Sequence, residues 1–232
     1  MAYQVVENDA SAAVLDLRIG LAYAQQRSRK EAVAKLQAAF ASLPTAHAER
    51  WRAGLQLGLQ QAASGDQKAA EATFREAQVA ADMNSTAQLR IVYELSGLRA
   101  RRGEWAALEE AARRVLHEAG QQEDEALALR HDAHAALGTM AYYRGELQET
   151  LRQFTVCLHI AEQRGLRNDR ALAHWNLATN ALYHIGHWHE ARQHLASIQA
   201  LSVEGLAEAA LTFEQLLGGA WEQALDNWLR DW

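Results

Sequence analysis

The strongest constraint on this chain is a pattern of small and large residues that returns six times. It is clearest over Leu137–Cys157, where Leu137 and Gly138 precede Tyr142, Tyr143 and Gly145, and Thr150 and Phe154 follow. With Gly145 as anchor, the equivalents are Arg27, Gly65, Gly103, Gly186 and Gly219, and successive spacings are 38, 38, 42, 41 and 33 residues. A period of this size belongs to stacked helical hairpins. Seven residues before each anchor the side chain is small: Gly20, Gly58, Ser96, Gly138, Thr179 and Thr212. Just before that, Ile19, Leu57, Leu95, Leu137, Ala178 and Leu211 are apolar.

Five residues after the anchors stand Ala32, Ala70, Leu108, Thr150, Ala191 and Ala224, mostly small. Nine after stand Leu36, Phe74, Ala112, Phe154, Leu195 and Trp228, mostly large. The expected packing sets small against small where the two helices of a hairpin approach. The large residues then fill the space to the next hairpin.

Composition agrees with an all-α chain. Nearly half the residues are hydrophobic and only one, Pro44, is proline, which would interrupt a helical ladder. No β-branched run reads as a strand. A net charge of −6 offers no global basic field for nucleic acid. The single cysteine, Cys157, excludes an internal disulfide and suits a reducing compartment, where it reads as a buried small hydrophobe. The N-terminus lacks a secretory layout and no apolar run could span a bilayer, so the expected location is cytoplasmic, with no membrane partner.

These columns resemble the tetratricopeptide repeat family. The residues carrying the likeness are Tyr23, the glycine anchors, Ala32, Ala70, Ala191, Ala224, Trp175 and the repeat-closing Pro44. Spacings near 40 are similar to the longer variant seen in kinesin light chain and in sensor portions of large bacterial transcription regulators. Arg27 in place of glycine, bulky Leu108 and the short last spacing depart from the pattern. The resemblance implies a right-handed superhelical solenoid of about six antiparallel hairpins forming one domain over 1–232. The hairpins are expected at about 12–44, 45–82, 85–120, 123–165, 168–203 and 205–232.

Helix caps are expected at Asn8–Ser11, Asn84–Thr86 and Asn168–Asp169. The last segment puts Trp221, Leu225, Trp228, Leu229 and Trp232 on one side of a helix. Two readings stand: Trp221, Leu225 and Trp228 pack on the fifth hairpin, or the Trp-rich face, with Trp228 and Trp232, meets a partner or a second copy as a homodimer.

The resemblance further implies that first helices line a groove for a protein or peptide segment. Counted back from each anchor, that stripe comprises Leu17, Leu21, Gln25, Leu55, Leu59, Tyr93, Gly97, Arg101, Thr139, Tyr143, Asn176, Asn180, His184, Phe213 and Leu217. Arg18, Arg52, Arg90 and Asp132 lie at its edge. The groove is expected to be apolar at its N-terminal end, with Leu17, Leu21, Leu55 and Leu59 as anchors, and polar at its centre. Asn176, Asn180 and His184, at i, i+4 and i+8, could bond an extended backbone, and Arg90 with Arg101 could hold a carboxylate.

His184, His187 and His189 flank one turn, His194 follows, and His131 and His134 are an i, i+3 pair. Zinc needs three or four converging ligands, which this spacing does not promise, so no metal and no cofactor is expected. The cluster could instead make a surface sensitive to pH. Nucleophile-elbow, phosphate-loop and dinucleotide motifs are absent, and the acidic pairs read as solvated helix faces. The expectation is a non-catalytic protein- or peptide-binding scaffold, bacterial in type. The alternative is a sensor or regulatory module answering to a peptide or small ligand.

Overall fold

A computed structural model describes residues 2–81, 85–120, 123–203 and 205–219. The chain divides into two compact units, Met1–Ala119 and Gly120–Trp232. Unit 1 contains α1 (Ala2–Gln25), α2 (Arg29–Ser42), α3 (Arg50–Ala63), α4 (Gln67–Ala80), α5 (Ser85–Ala100) and α6 (Trp105–Glu118). Unit 2 contains α7 (Asp124–Tyr143), α8 (Leu147–Gln163), α9 (Arg167–Asn176), a π-helical stretch Leu177–Leu182, α10 (Trp188–Leu201) and α11 (Leu206–Leu217). No strand occurs among the described residues. No described helix is long and apolar enough to cross a membrane.

Helices pair in sequence order as antiparallel hairpins, and all six anchors mark the turn after a first helix. Each anchor has a positive φ, from +59° at Arg27 to +91° at Gly103. At five of them the same two bonds close the helix. In the second hairpin Gly65 N–H donates to Ala62 O and Asp66 N–H to Gln61 O; Gly103/Glu104, Gly145/Glu146 and Gly186/His187 repeat this pair. Arg27 and Ser28 do so as well, donating to Ala24 O and Tyr23 O. This left-handed closure satisfies carbonyls that a helix end leaves open. A side chain at Arg27 carries steric strain that glycine avoids.

The small column has a different partner from the one expected. A methyl on Gly20 would lie 2.8 Å from Leu36 Cγ, and one on Gly138 would lie 3.0 Å from Phe154 Cε1. One on Gly58 would run into the Phe74 ring. Small therefore faces large across a single hairpin: the residue nine after the anchor leans over the one seven before it, and the missing Cβ makes room. The third hairpin departs from this: both places hold small residues, Ser96 and Ala112, and both are buried. Ser96 and Thr179 donate their hydroxyls to the carbonyls of Val92 and Trp175, one turn back, so their polarity is spent locally.

Each unit has its own core. Leu17, Leu36, Leu43, Leu57, Phe74 and Ile91 centre the first. Phe154, Cys157, Leu177, Leu182, Leu195 and Ile198 centre the second. Second helices also meet the next first helix, as in α2–α3, α4–α5, α8–α9 and α10–α11. First helices touch one another too, α3 with α5 and α9 with α11, so each unit has a continuous first-helix surface.

Two expected caps move. Asn8–Ser11 lies inside α1, which begins ten residues earlier than expected. Leu166, rather than Asn168 or Asp169, precedes α9. Asp169 sits in the first turn and pairs with Arg164 at 3.3 Å, while Arg164 also holds Asp124 at 2.9 Å. That pairing uses the carboxylate at the positive end of α9 without capping it. Asn84 of the other expected cap lies outside the described residues.

Candidate binding surface

The expected groove divides once its side chains are placed. Leu17 and Leu55 are only 2% and 6% exposed and belong to the core of unit 1, so they cannot anchor a partner. They fail because their helices turn that face toward the second helices of the hairpins. Leu21 and Leu59 pack half-buried against the same core. Arg90 pairs with Glu94 at 2.7 Å, one turn along α5, so its expected role in gripping a partner carboxylate is taken internally. Arg52 pairs with Glu49 at 3.0 Å and lies over the Trp51 ring. Tyr93 is half-buried; Arg101 is exposed. Trp228 and Trp232 lie outside the described residues.

Unit 2 brings more of its expected residues together. Tyr143, at the end of α7, is 77% exposed, and its ring stands 5.5 Å from that of Tyr142. Tyr142 meets His184, its hydroxyl 3.3 Å from Nε2 and the rings 5.3 Å apart. Tyr183 packs edge-on against both His184 and Phe213, and Phe213 meets Trp175 at 6.0 Å. One run of rings thus crosses from α7 through the π-helical stretch to α11. Beside it, Asn180 Nδ2 donates to Asn176 Oδ1 at 3.3 Å. Thr139, nearby in sequence on α7, donates its hydroxyl to Ala135 O.

The π-helical stretch was not legible in the spacing. Its turns are wider, with bonds reaching back five residues (Tyr183 N–H to Ala178 O, 3.0 Å). Asn176 and Asn180 stay together, while His184 turns to Tyr142. At the α11 end a cleft of about 550 Å³ opens between Trp175, Glu208, Thr212, Phe213 and Leu216.

The histidines are distributed rather than gathered, and no group of three metal-ligating side chains occurs among the described residues. His134 Nδ1 donates to Gln153 Oε1 at 2.6 Å, and Gln153 Nε2 donates to Glu149. The Arg152 guanidinium and Gln153 hold the Glu149 carboxyl down at about 2. Burial pushes the His134 imidazole below its ordinary value, in spite of the Gln153 bond. His187 faces Glu190, and His189 faces Gln193.

A second histidine pair, part-buried and unmarked by any motif spacing, joins α9 to α10. His174 Nδ1 lies 2.7 Å from His194 Nδ1, a contact that needs one proton between the two nitrogens. Burial, then the neighbouring His194 and Arg170, push His174 down to about 4. A register signal for such pairs exists. Asp16–Lys35 and His134–Gln153 both stand eleven before and eight after their anchors, and His174–His194 stand twelve before and eight after. Cys157 is 1% exposed, its thiol directed to the His131 carbonyl and pushed up to about 12 by burial.

No family model matches this chain, and no curated protein matches it. Solved structures do. The TPR-like repeats of a Podosopora anserina kinesin-light-chain-like protein superpose with a TM-score of 0.54 at 18% identity, covering 83% of this chain and 95% of that one. A single-substitution variant of that protein gives 0.55 at 19%, with the same coverage. The fold is that of tetratricopeptide-like helical repeats. At such identity the likeness carries the architecture and leaves function to the surfaces.

Proposed function

We propose that this protein is a non-catalytic binding scaffold that takes a segment of a partner protein on the first-helix surface of unit 2. The supporting observation is the run Tyr143–Tyr142–His184–Tyr183–Phe213. Rings at contact distance and partly open to water favour association, because aromatic side chains supply contact area at little entropic cost. Asn176 and Asn180 add amide donors and acceptors next to the rings, suited to a partner's backbone. Tyr143, Asn176, Asn180 and His184 form the centre of the site and Thr139 its margin. Leu21, Leu59, Tyr93 and Arg101 serve unit 1 separately.

The experiment is photo-crosslinking in the source cells, with a benzophenone side chain replacing Tyr143, His184 or, as a reference, Val79 of α4, which is 67% exposed. Adducts to one protein from positions 143 and 184, absent from 79, are the expected result. Equal adducts from all three positions, or none from 143 and 184, would remove the proposal.

A further inference from the structure

We infer that the cleft at the α11 end of this surface accepts an arginine or lysine side chain, so that the partner segment is basic. The inference rests on the binding role proposed above and adds the partner's chemistry. Two rings, Trp175 and Phe213, form apolar walls, Leu216 continues them, and Glu208 stands at the lip. An aromatic wall attracts a cation through its ring quadrupole, and a carboxylate at the mouth answers the same charge. The aliphatic stem of Lys or Arg would cover the apolar part while its head reaches Glu208. The Glu208 carboxylate has no ion pair among the described residues.

The charge of the chain is divided to match. Residues 1–119 hold 15 basic and 14 acidic side chains, close to balance. Residues 120–232 hold eight arginines, no lysine and fifteen carboxylates, a formal charge of −7. The whole negative excess thus lies in the unit that carries the cleft. A field of that sign draws basic segments and repels acidic ones, while the ring-and-carboxylate cleft selects where one side chain seats.

The test uses fluorescence anisotropy of the full chain with labelled peptides alternating Arg–Ala, Lys–Ala or Glu–Ala at physiological ionic strength. Glu208→Gln is compared with Glu162→Gln, which removes the same charge from an exposed site on α8. Both basic peptides should bind and the acidic one should not. Glu208→Gln should weaken binding about fivefold, Glu208→Lys more, and Glu162→Gln less than about twofold. Equal losses in the two Gln variants would leave only a general field and overturn the inference, as would equal binding of the acidic peptide or no binding of either basic one. Self-association abolished by Glu208→Gln and not competed by the basic peptides would assign the cleft to a second copy, again overturning it. Crosslinks from position 143 that persist unchanged in Glu208→Gln would leave the scaffold reading intact while removing the basic partner.

Discussion

Units 1 and 2 share a skeleton and differ in what they show to water. In both, a residue nine after the anchor leans over a small one seven before it, and a left-handed turn joins the helices. In unit 1 the polar groups are largely matched in pairs, Lys35 with Asp16, Arg90 with Glu94 and Arg102 with Glu71. Its rings Phe40, Trp51 and Phe74 are buried, and Trp105 is the one large aromatic of its described residues in the open. Arg50 even spans the Phe40 ring while donating to the carbonyls of Phe40 and Leu43 at the end of α2. In unit 2 Tyr143, Tyr183 and Trp188 are exposed, and eight of the chain's ten histidines are found there. The same hairpin can therefore be spent on internal closure or on presenting a surface, and the columns that build it do not decide which.

If the skeleton is truly shared, Phe74→Ala and Phe154→Ala should cost alike, about 3–5 kcal/mol each, because each empties a fully buried site. Urea unfolding read by hydrogen exchange in each unit would show it, and a much smaller loss in one unit would break the equivalence. Filling the small column should cost less. Gly58→Ala is expected to lose about 1–3 kcal/mol, and Gly138→Ala the lower part of that range, because Phe154 is less tightly approached. Chemical denaturation midpoints would rank the two.

Acid should separate the units. Burial holds His174, His194 and His134 below their unfolded values, so below about pH 6.5 the unfolded chain binds more protons than the folded one. Stability from these groups is complete above that pH and falls away toward about pH 4, with Arg170 opposing and Glu190 favouring protonation of the His174–His194 pair. Roughly 1–2 kcal/mol should be lost by pH 5, after allowing for solvent near the pair. Exchange over 167–201, corrected for intrinsic rate, should rise while 29–63 stays protected, and His174→Asn should flatten the response. The smallest effect belongs to the first turn. Arg27→Gly relieves left-handed strain but frees the unfolded chain, for a net gain of about 0.5 kcal/mol, visible as a slightly higher Tm.

The helical hairpins and their turns were legible because the anchors repeat a backbone demand, and a positive φ leaves its mark as glycine. The partner of the small column was not, because spacing along the chain does not say which face of a helix meets which neighbour. Leu17 and Leu55 illustrate this: counting turns put them in a groove, whereas packing put them in the core. Asn176 and Asn180 bond each other as their spacing allows, whereas the contact of His184 with Tyr142, forty-two residues away, leaves no local mark. The His174–His194 contact joins two helices across twenty residues, and only alignment by anchor exposes it.

The Cys157 thiol provides a clock. It is the only cysteine, sealed in the core of unit 2 and far from its reactive form at neutral pH. An alkylating reagent can reach it only when the helices around it part, so the labelling rate of the unmodified protein measures how often that part of the molecule opens.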